Sequence, residues 1–205
     1  MGLRLLILSL WTPKFIIRRK LNSISELTTT ALDSLVSKYA KSKVEFSNLE
    51  KQSIASIQQQ RAVMAQTQAR LIEKLKTAIG QQEAVKQGRE ILFLVGQILG
   101  RQIRAELRVS DTSEDLTRAA KILYRVLGIE FHLEWVNDSK ARAIIDRCSL
   151  AEQYSKLTCE VLSAVDEGVI NGLQPNVSMK FREYMTSGCK NCMAEIDFQE
   201  KVNLK

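Results

Sequence analysis

Ile129-Glu-Phe-His-Leu-Glu-Trp-Val-Asn-Asp-Ser-Lys-Ala-Arg-Ala-Ile-Ile-Asp-Arg147 decides how the rest of the chain is read. Ile129, Phe131, Leu133 and Trp135 alternate with Glu130, His132 and Glu134, the side-chain period of a half-buried strand. Asn137–Lys140 supplies a polar turn and Ala141–Arg147 a second strand. Downstream, Ser149 with Glu152 forms a capping box that predicts a helix to about Asn171, before the break at Pro175. Val177, Met179, Phe181 and Glu183 predict a third strand, Ser187–Asn191 a glycine-containing turn, and Cys192, Ala194, Ile196 and Phe198 one face of a fourth. Two hairpins bracketing a helix predict an α+β fold: an antiparallel β-β-α-β-β sheet with helices on one face.

Upstream of the sheet the period is helical. Leu116–Leu127 reads as a helix stopped by Gly128. Before it, Ile91–Leu99 is strongly apolar and lies among Gly88, Gly96 and Gly100. Gly96-x-x-x-Gly100 leaves two positions without side chains on one helix face, which suits close approach by another element. Further back, Ser23 and Glu26 form a capping box, with Ile24, Leu27, Ala31 and Leu35 at helical spacing. From Asn48 the chain is polar and Gln-rich. Its seam of Ile54, Ile57, Arg61, Met64, Gln68, Leu71, Leu75 and Ala78 predicts a weak coiled coil, interrupted at Arg61 and Gln68. A homodimer contact, a partner helix or an antiparallel helical hairpin would each suit it. The expected organisation is a basic apolar segment at 1–21, a helical N-terminal arm at 22–79 and a ligand- or metal-binding domain at 80–200.

The 205 residues are 45% hydrophobic and 26% charged, with 9 Gly and 2 Pro. That suits one core plus an extended arm, and excludes a disordered chain, a collagen and a disulfide-dense secreted scaffold. No apolar run approaches roughly 20 residues, which excludes a polytopic membrane protein. Lys and Arg number 30 against 23 Asp and Glu, a net charge of +7. Arg4, Lys14, Arg18, Arg19 and Lys20 all lie in the first 20 residues, which hold no acid. The remainder is nearly balanced and has no basic stripe interleaved with aromatics, so nucleic acid is not an expected partner. The apolar run Leu3–Trp11 is followed by Pro13 and the basic segment Phe15–Lys20, with no small-residue cleavage site. Two readings stand for it. One is a peripheral anchor, with Trp11, Phe15, Ile16 and Ile17 in the interface and the cations on anionic headgroups. The other is a helix packed on the domain or on a partner.

The four cysteines are Cys148, Cys159, Cys189 and Cys192. Without a secretion signal the expected setting is the reducing cytoplasm, with membrane association through residues 1–20 as the variant of it. Clustered thiols there read as metal or redox ligands before disulfides. Cys189-Lys-Asn-Cys192, just after Gly188 in a hairpin turn, has the geometry of many zinc knuckles. Cys159 is the natural third ligand and Glu183 an oxygen donor for the fourth position. Cys148 is a further candidate, although one unbroken helix over 149–159 would hold it roughly 16 Å from Cys159; a break near Ser155–Lys156 would relax that. A redox or nucleophilic cysteine pair, or plain buried thiols, are the alternatives. His132, the only histidine, shares the polar strand face with Glu130 and Glu134 and reads as solvated. Asp166 and Glu167 read either as a base near a metal or as a solvated helix face. No Ser-His-Asp set, P-loop or Gly-rich dinucleotide turn is present.

Arg147-Cys148-Ser-Leu-Ala-Glu152, Cys159, Asp166, Gly172-Leu-Gln-Pro-Asn176, Gly188 and Cys192-x-Ala-x-Ile-x-Phe198 resemble the L-2-amino-thiazoline-4-carboxylic acid hydrolase family. They look equally like its structural relatives, the 4-vinyl reductase domains and TRAPP-like proteins. The resemblance covers roughly residues 80–199. It implies a pocket between helices and sheet for a small, mostly apolar or heterocyclic ligand. By position in the 4-vinyl reductase-like sensors, it also implies a zinc held by Cys159, Glu183 and Cys192. Thr186 stands where those sensors often carry a further cysteine, and Cys189 where the hydrolase pattern usually has an acid.

Two function classes are open. As a hydrolase, the protein would cleave a C–N bond of a small heterocycle with a metal-activated water or a cysteine. As a non-catalytic sensor or scaffold domain, it would hold a small ligand and a structural zinc, and signal through the helical arm.

Overall fold

The computed structural model describes residues 3–40 and 56–198. Helix α1 spans Leu3–Leu10, α2 Lys14–Ala40, α3 Ile57–Ile79, α4 Gln81–Leu107 and α5 Ser113–Leu127. Strands β1, Ile129–Asn137, and β2, Lys140–Cys148, form the first hairpin. Helix α6, Lys156–Leu173, comes next, and β3, Val177–Glu183, with β4, Cys192–Phe198, forms the second. The sheet order is β1-β2-β4-β3, antiparallel throughout, with Ala143 opposite both Leu133 and Ala194. Ala141, Ala143, Ile145, Val177, Met179, Ala194 and Ile196 face the core, while Arg142, His132, Lys180 and Glu195 face water. The α+β fold expected from the alternation is the one observed.

Three local differences have physical causes. The helix expected from Ser149 begins at Lys156, because Ala151–Gln153 closes a short 3-10 turn and the Ser155 hydroxyl accepts from Thr158 N–H as the true N-cap. A register shift between Phe181 and Glu183 takes Glu183 off the core-facing phase and leaves it exposed opposite Met193. The helix assigned to 22 onward begins at Lys14, with Pro13 accepting from the Ile16 and Ile17 N–H groups.

Helices α2 and α3 pair along their length. Leu21, Leu32, Val36, Ile72 and Leu75 are fully buried, and Gln68 donates to the Thr28 hydroxyl at 2.7 Å. Of the expected seam, Ile54 lies outside the described residues and Ala78 is exposed. Arg61 reaches from the seam to the C-terminal carbonyls of α5, donating to Arg125 O at 2.7 Å and Val126 O at 2.9 Å. Gly128, at φ 73, ends α5 in the left-handed conformation that glycine adopts without strain.

Helices α4 and α6 meet backbone to backbone. A Cβ at Gly96 would lie 2.2 Å from Val165 O, and one at Gly100 2.3 Å from Val169 O. Reciprocally, a Cβ at Gly168 would lie 2.1 Å from Phe93 O, and one at Gly172 2.4 Å from Gln97 O. The close approach expected at Gly96 and Gly100 is thus answered by a second pair with the same spacing on the facing helix.

Candidate ligand cavity

The α2–α3 pair, α5, α6 and the inner face of the sheet enclose a cavity of about 100 Å³. Ile24 and Met64 come from the helical pair, Tyr124 and Leu127 from α5, and Ile145 and Phe181 from the sheet. Side chains from α6 complete the wall at successive turns: Cys159, Leu162 and Asp166. No Lys, Arg or His lines the cavity among the described residues.

Most polar groups in this wall have partners. Tyr154 OH donates to Gln68 Oε1 at 2.5 Å, Gln68 to Thr28, and Thr28 to Ile24 O at 2.8 Å, a chain of bonds running from the loop before α6 into α2. Ser163 Oγ lies 3.1 Å from Tyr184 OH and accepts from Arg89 at 2.9 Å. Arg89 also pairs with Glu167 at 2.6 Å, and Glu167 accepts from Phe181 N–H. Asp166 differs. No donor to its carboxylate is present among the described residues, and it lines the apolar cavity. Burial, with the like charge of Glu167 second, pushes its carboxyl up to about 7.

The three thiols of the cavity wall, those of Cys148, Cys159 and Cys192, are held toward the protonated form. Burial pushes Cys159 up to about 11, partly offset by a hydrogen bond with Thr186. Burial likewise raises Cys148 and Cys192, although backbone N–H groups of Leu150 and Ala151 favour the Cys148 thiolate and that of Met185, at 3.2 Å, favours the Cys192 thiolate. Tyr124 and Tyr154 are also raised well above the phenol range by burial.

Of the residues expected to bind metal, Cys148, Cys159 and Cys192 line this one cavity; the 3-10 turn and extended residues before Lys156 separate Cys148 from the Cys159 helix, and Cys192 comes from β4. Cys189 is not part of the wall, and Glu183 is exposed on the sheet edge. Among the described residues no three His, Cys, Asp or Glu side chains gather as a metal-holding group. His132 is exposed on the outer face of the sheet, outside the cavity wall and 2.7 Å from Asp146, whose hydrogen bond raises its pKa.

Sequence reading set Asp166 down between a base and a solvated carboxylate, and it missed Tyr154, Gln68, Thr28 and Tyr184. A usable signal was present for Asp166: Cys159, Leu162 and Asp166 recur at the spacing of one helix face. The tyrosines and Gln68 come from distant elements, and no local pattern marks them.

Comparison with solved structures identifies the same fold in proteins of very different sequence. One is trafficking protein particle complex subunit 3 from Naegleria fowleri, covalently bound to palmitic acid. It is 14% identical with a TM-score of 0.54, over 68% of this chain and 95% of that one. Another is the phenol-responsive sensory domain of the transcription activator PoxR with phenol. It is 11% identical with a TM-score of 0.53, over 68% of this chain and 76% of that one. No curated protein matches the sequence. The L-2-amino-thiazoline-4-carboxylic acid hydrolase family matches residues 60–195. The match takes in α3, which the resemblance had left outside and which walls the cavity with Met64 and Gln68. Since it covers well over half of the sequence, the chain belongs to the L-2-amino-thiazoline-4-carboxylic acid hydrolase family.

Proposed function

We propose that the chain binds a small aromatic or heterocyclic ring carrying an N–H or O–H donor, in the cavity between α6 and the sheet, and acts as a ligand-binding module. The carrying observation is Asp166, a carboxylate without a hydrogen-bond donor among the described residues, in the wall of a largely apolar cavity whose hydroxyl and amide groups are mostly paired with one another. A ligand donor there would satisfy it, and the surrounding side chains would bury the ring. The volume of about 100 Å³ is of the order of the apolar cavity of about 150 Å³ known to admit benzene. The sensory domain with phenol, which shares this fold, is described with a single-ring ligand of that class.

Two features weigh against cleavage of a carboxylate-bearing heterocycle such as the one in the family's name. No basic side chain in the cavity wall can pair with a carboxylate. A thiol raised to about 11, as at Cys159, is almost wholly protonated at neutral pH and a poor nucleophile. The hydrolase reading keeps one specific support. A carboxyl near 7 is suited to pass a proton to and from a bound water, so Asp166 would be its acid–base residue.

Thermal shifts with phenol, aniline and benzoate test the proposal. Phenol and aniline should raise Tm and benzoate should not, and Asp166→Asn should weaken aniline about tenfold or more, as expected for loss of a charge-assisted hydrogen bond. Benzoate binding as tightly as aniline would overturn it. Turnover of a neutral heterocyclic amide that Asp166→Asn abolishes would establish the hydrolase reading instead.

A further inference from the structure

Helix α1 is apolar on two sides. Leu5 and Leu8 are buried, and the helix packs on α5. Its C-terminal end is held by the Arg125 guanidinium, which donates to Leu8 O at 3.0 Å, Ser9 O at 2.8 Å and Thr12 Oγ1 at 3.2 Å. That docked face accounts for the folding contribution of the helix. The opposite face has no such account. Ile7 is 51% exposed, Leu10 75% and Trp11 69%, and Phe15 at the start of α2 is 71% exposed. Trp11 N–H still donates to Ile7 O at 2.9 Å, so helical geometry reaches Trp11. At about 100° per residue, Ile7, Leu10 and Trp11 share an arc of about 100°. These four are half of the eight large hydrophobic side chains exposed among the described residues, gathered in nine consecutive positions.

Along the chain, the charge that flanks the patch has one sign. Arg4, Lys14 and Arg19 are exposed beside it, and no Asp or Glu precedes Glu26 in the sequence. Lys20 is engaged with Glu106 at 2.5 Å. A second copy of the chain docking here about a two-fold axis would set these cations against their own images, which disfavours a homodimer. The partner that complements exposed Trp and Phe flanked by the exposed cations Arg4, Lys14 and Arg19 is an anionic lipid surface. Its headgroups supply the negative charge without fixed positions, and the rings settle at the boundary between headgroup and acyl chain. No described helix is long and apolar enough to cross a membrane, so contact would be with one face only.

We infer that the exposed face of α1, with Phe15 and the flanking cations, is a peripheral docking surface for anionic membranes. The test is flotation of the full chain with vesicles of phosphatidylcholine, alone or containing phosphatidylserine. Binding should occur to the anionic vesicles and fall as salt is raised. The double substitution Trp11→Ser with Phe15→Ser should lower partitioning about tenfold or more while leaving Tm unchanged, because both rings are solvent-exposed. Lys14→Glu with Arg19→Glu should abolish the preference for anionic vesicles. In a Trp135→Phe background, Trp11 fluorescence should shift to the blue on binding. Equal partitioning of wild type and the Trp11, Phe15 variant would sink the inference, as would no flotation with either vesicle at low salt. Self-association that this variant abolishes, without vesicle binding, would assign the patch to a protein contact and overturn it equally.

Discussion

Asp166 holds its proton differently in the folded and unfolded chains. In the fold its carboxyl stands at about 7, against a reference value of 3.8. Folding therefore takes up a proton between those two values. The stability linked to this group is complete below about pH 4 and is lost as pH rises through about 7, by at most about 4 kcal/mol. Asp166→Asn removes the titration and the cost of burying the charge. The variant should match the wild type near pH 3, already exceed it at pH 5 and exceed it most in urea unfolding at pH 8, and identical pH slopes in the two proteins would refute this. The residue types were legible in the sequence, since Cys148, Cys159, Cys192 and Asp166 all stood out. What each faces was not, because a side chain's exposure depends on elements far away in the chain. Glu183 shows the same limit on a smaller scale: strict alternation puts it inside, and one bulge puts it out.

At the scale of elements, the contact between α4 and α6 makes a graded prediction. Gly168→Ala places a methyl group 2.1 Å from the Phe93 carbonyl oxygen, a backbone atom that moves only if the helices separate. Gly88→Ala places one 2.7 Å from Val161 Cγ1, the end of a side chain. Gly168→Ala should therefore destabilise by the roughly 1–3 kcal/mol typical of overpacking or more, about 2–12 degrees in Tm, and Gly88→Ala clearly less. Equal melting temperatures for the two variants would remove the backbone contact as the cause. The strands were readable because alternation is a local property of the residues that form them. Helix ends were less so, since Ser149 and Ser155 both offer a capping hydroxyl and the local 3-10 turn decides for Ser155.

Across the whole molecule, the N-terminal helices and the sheet share one interior. Leu21, Leu32 and Val36 of α2 are fully buried, Met64 and Gln68 of α3 wall the cavity, and Tyr154 bonds to Gln68. A chain beginning at Ser56 keeps all of the family match but uncovers that apolar surface. It should lose its cooperative thermal transition and bind a hydrophobic dye; a cooperative transition near the wild-type Tm would show that the remainder folds alone. The different texture of residues 22–79 was visible in the sequence, set against the glycine-marked apolar segments after Gly80. By their spacing Arg61 and Gln68 read as interruptions of a coiled coil, whereas in the fold Gln68 and Arg61 spend their hydrogen bonds on Tyr154, Thr28 and the carbonyls of α5.

The glycine crossing also fixes a register. At each of its four positions a Cα hydrogen points toward a carbonyl oxygen of the other helix, a reciprocal ladder of Cα–H···O contacts. Such a ladder works as a detent: sliding α6 along α4 by one residue would drive the Cβ of Val169 or of Leu173 toward the oxygens that now face Gly168 and Gly172. Asp166 lies two residues before Gly168. The depth at which the carboxylate enters the cavity is thus indexed by two missing methyl groups, on the side of the helix turned away from it.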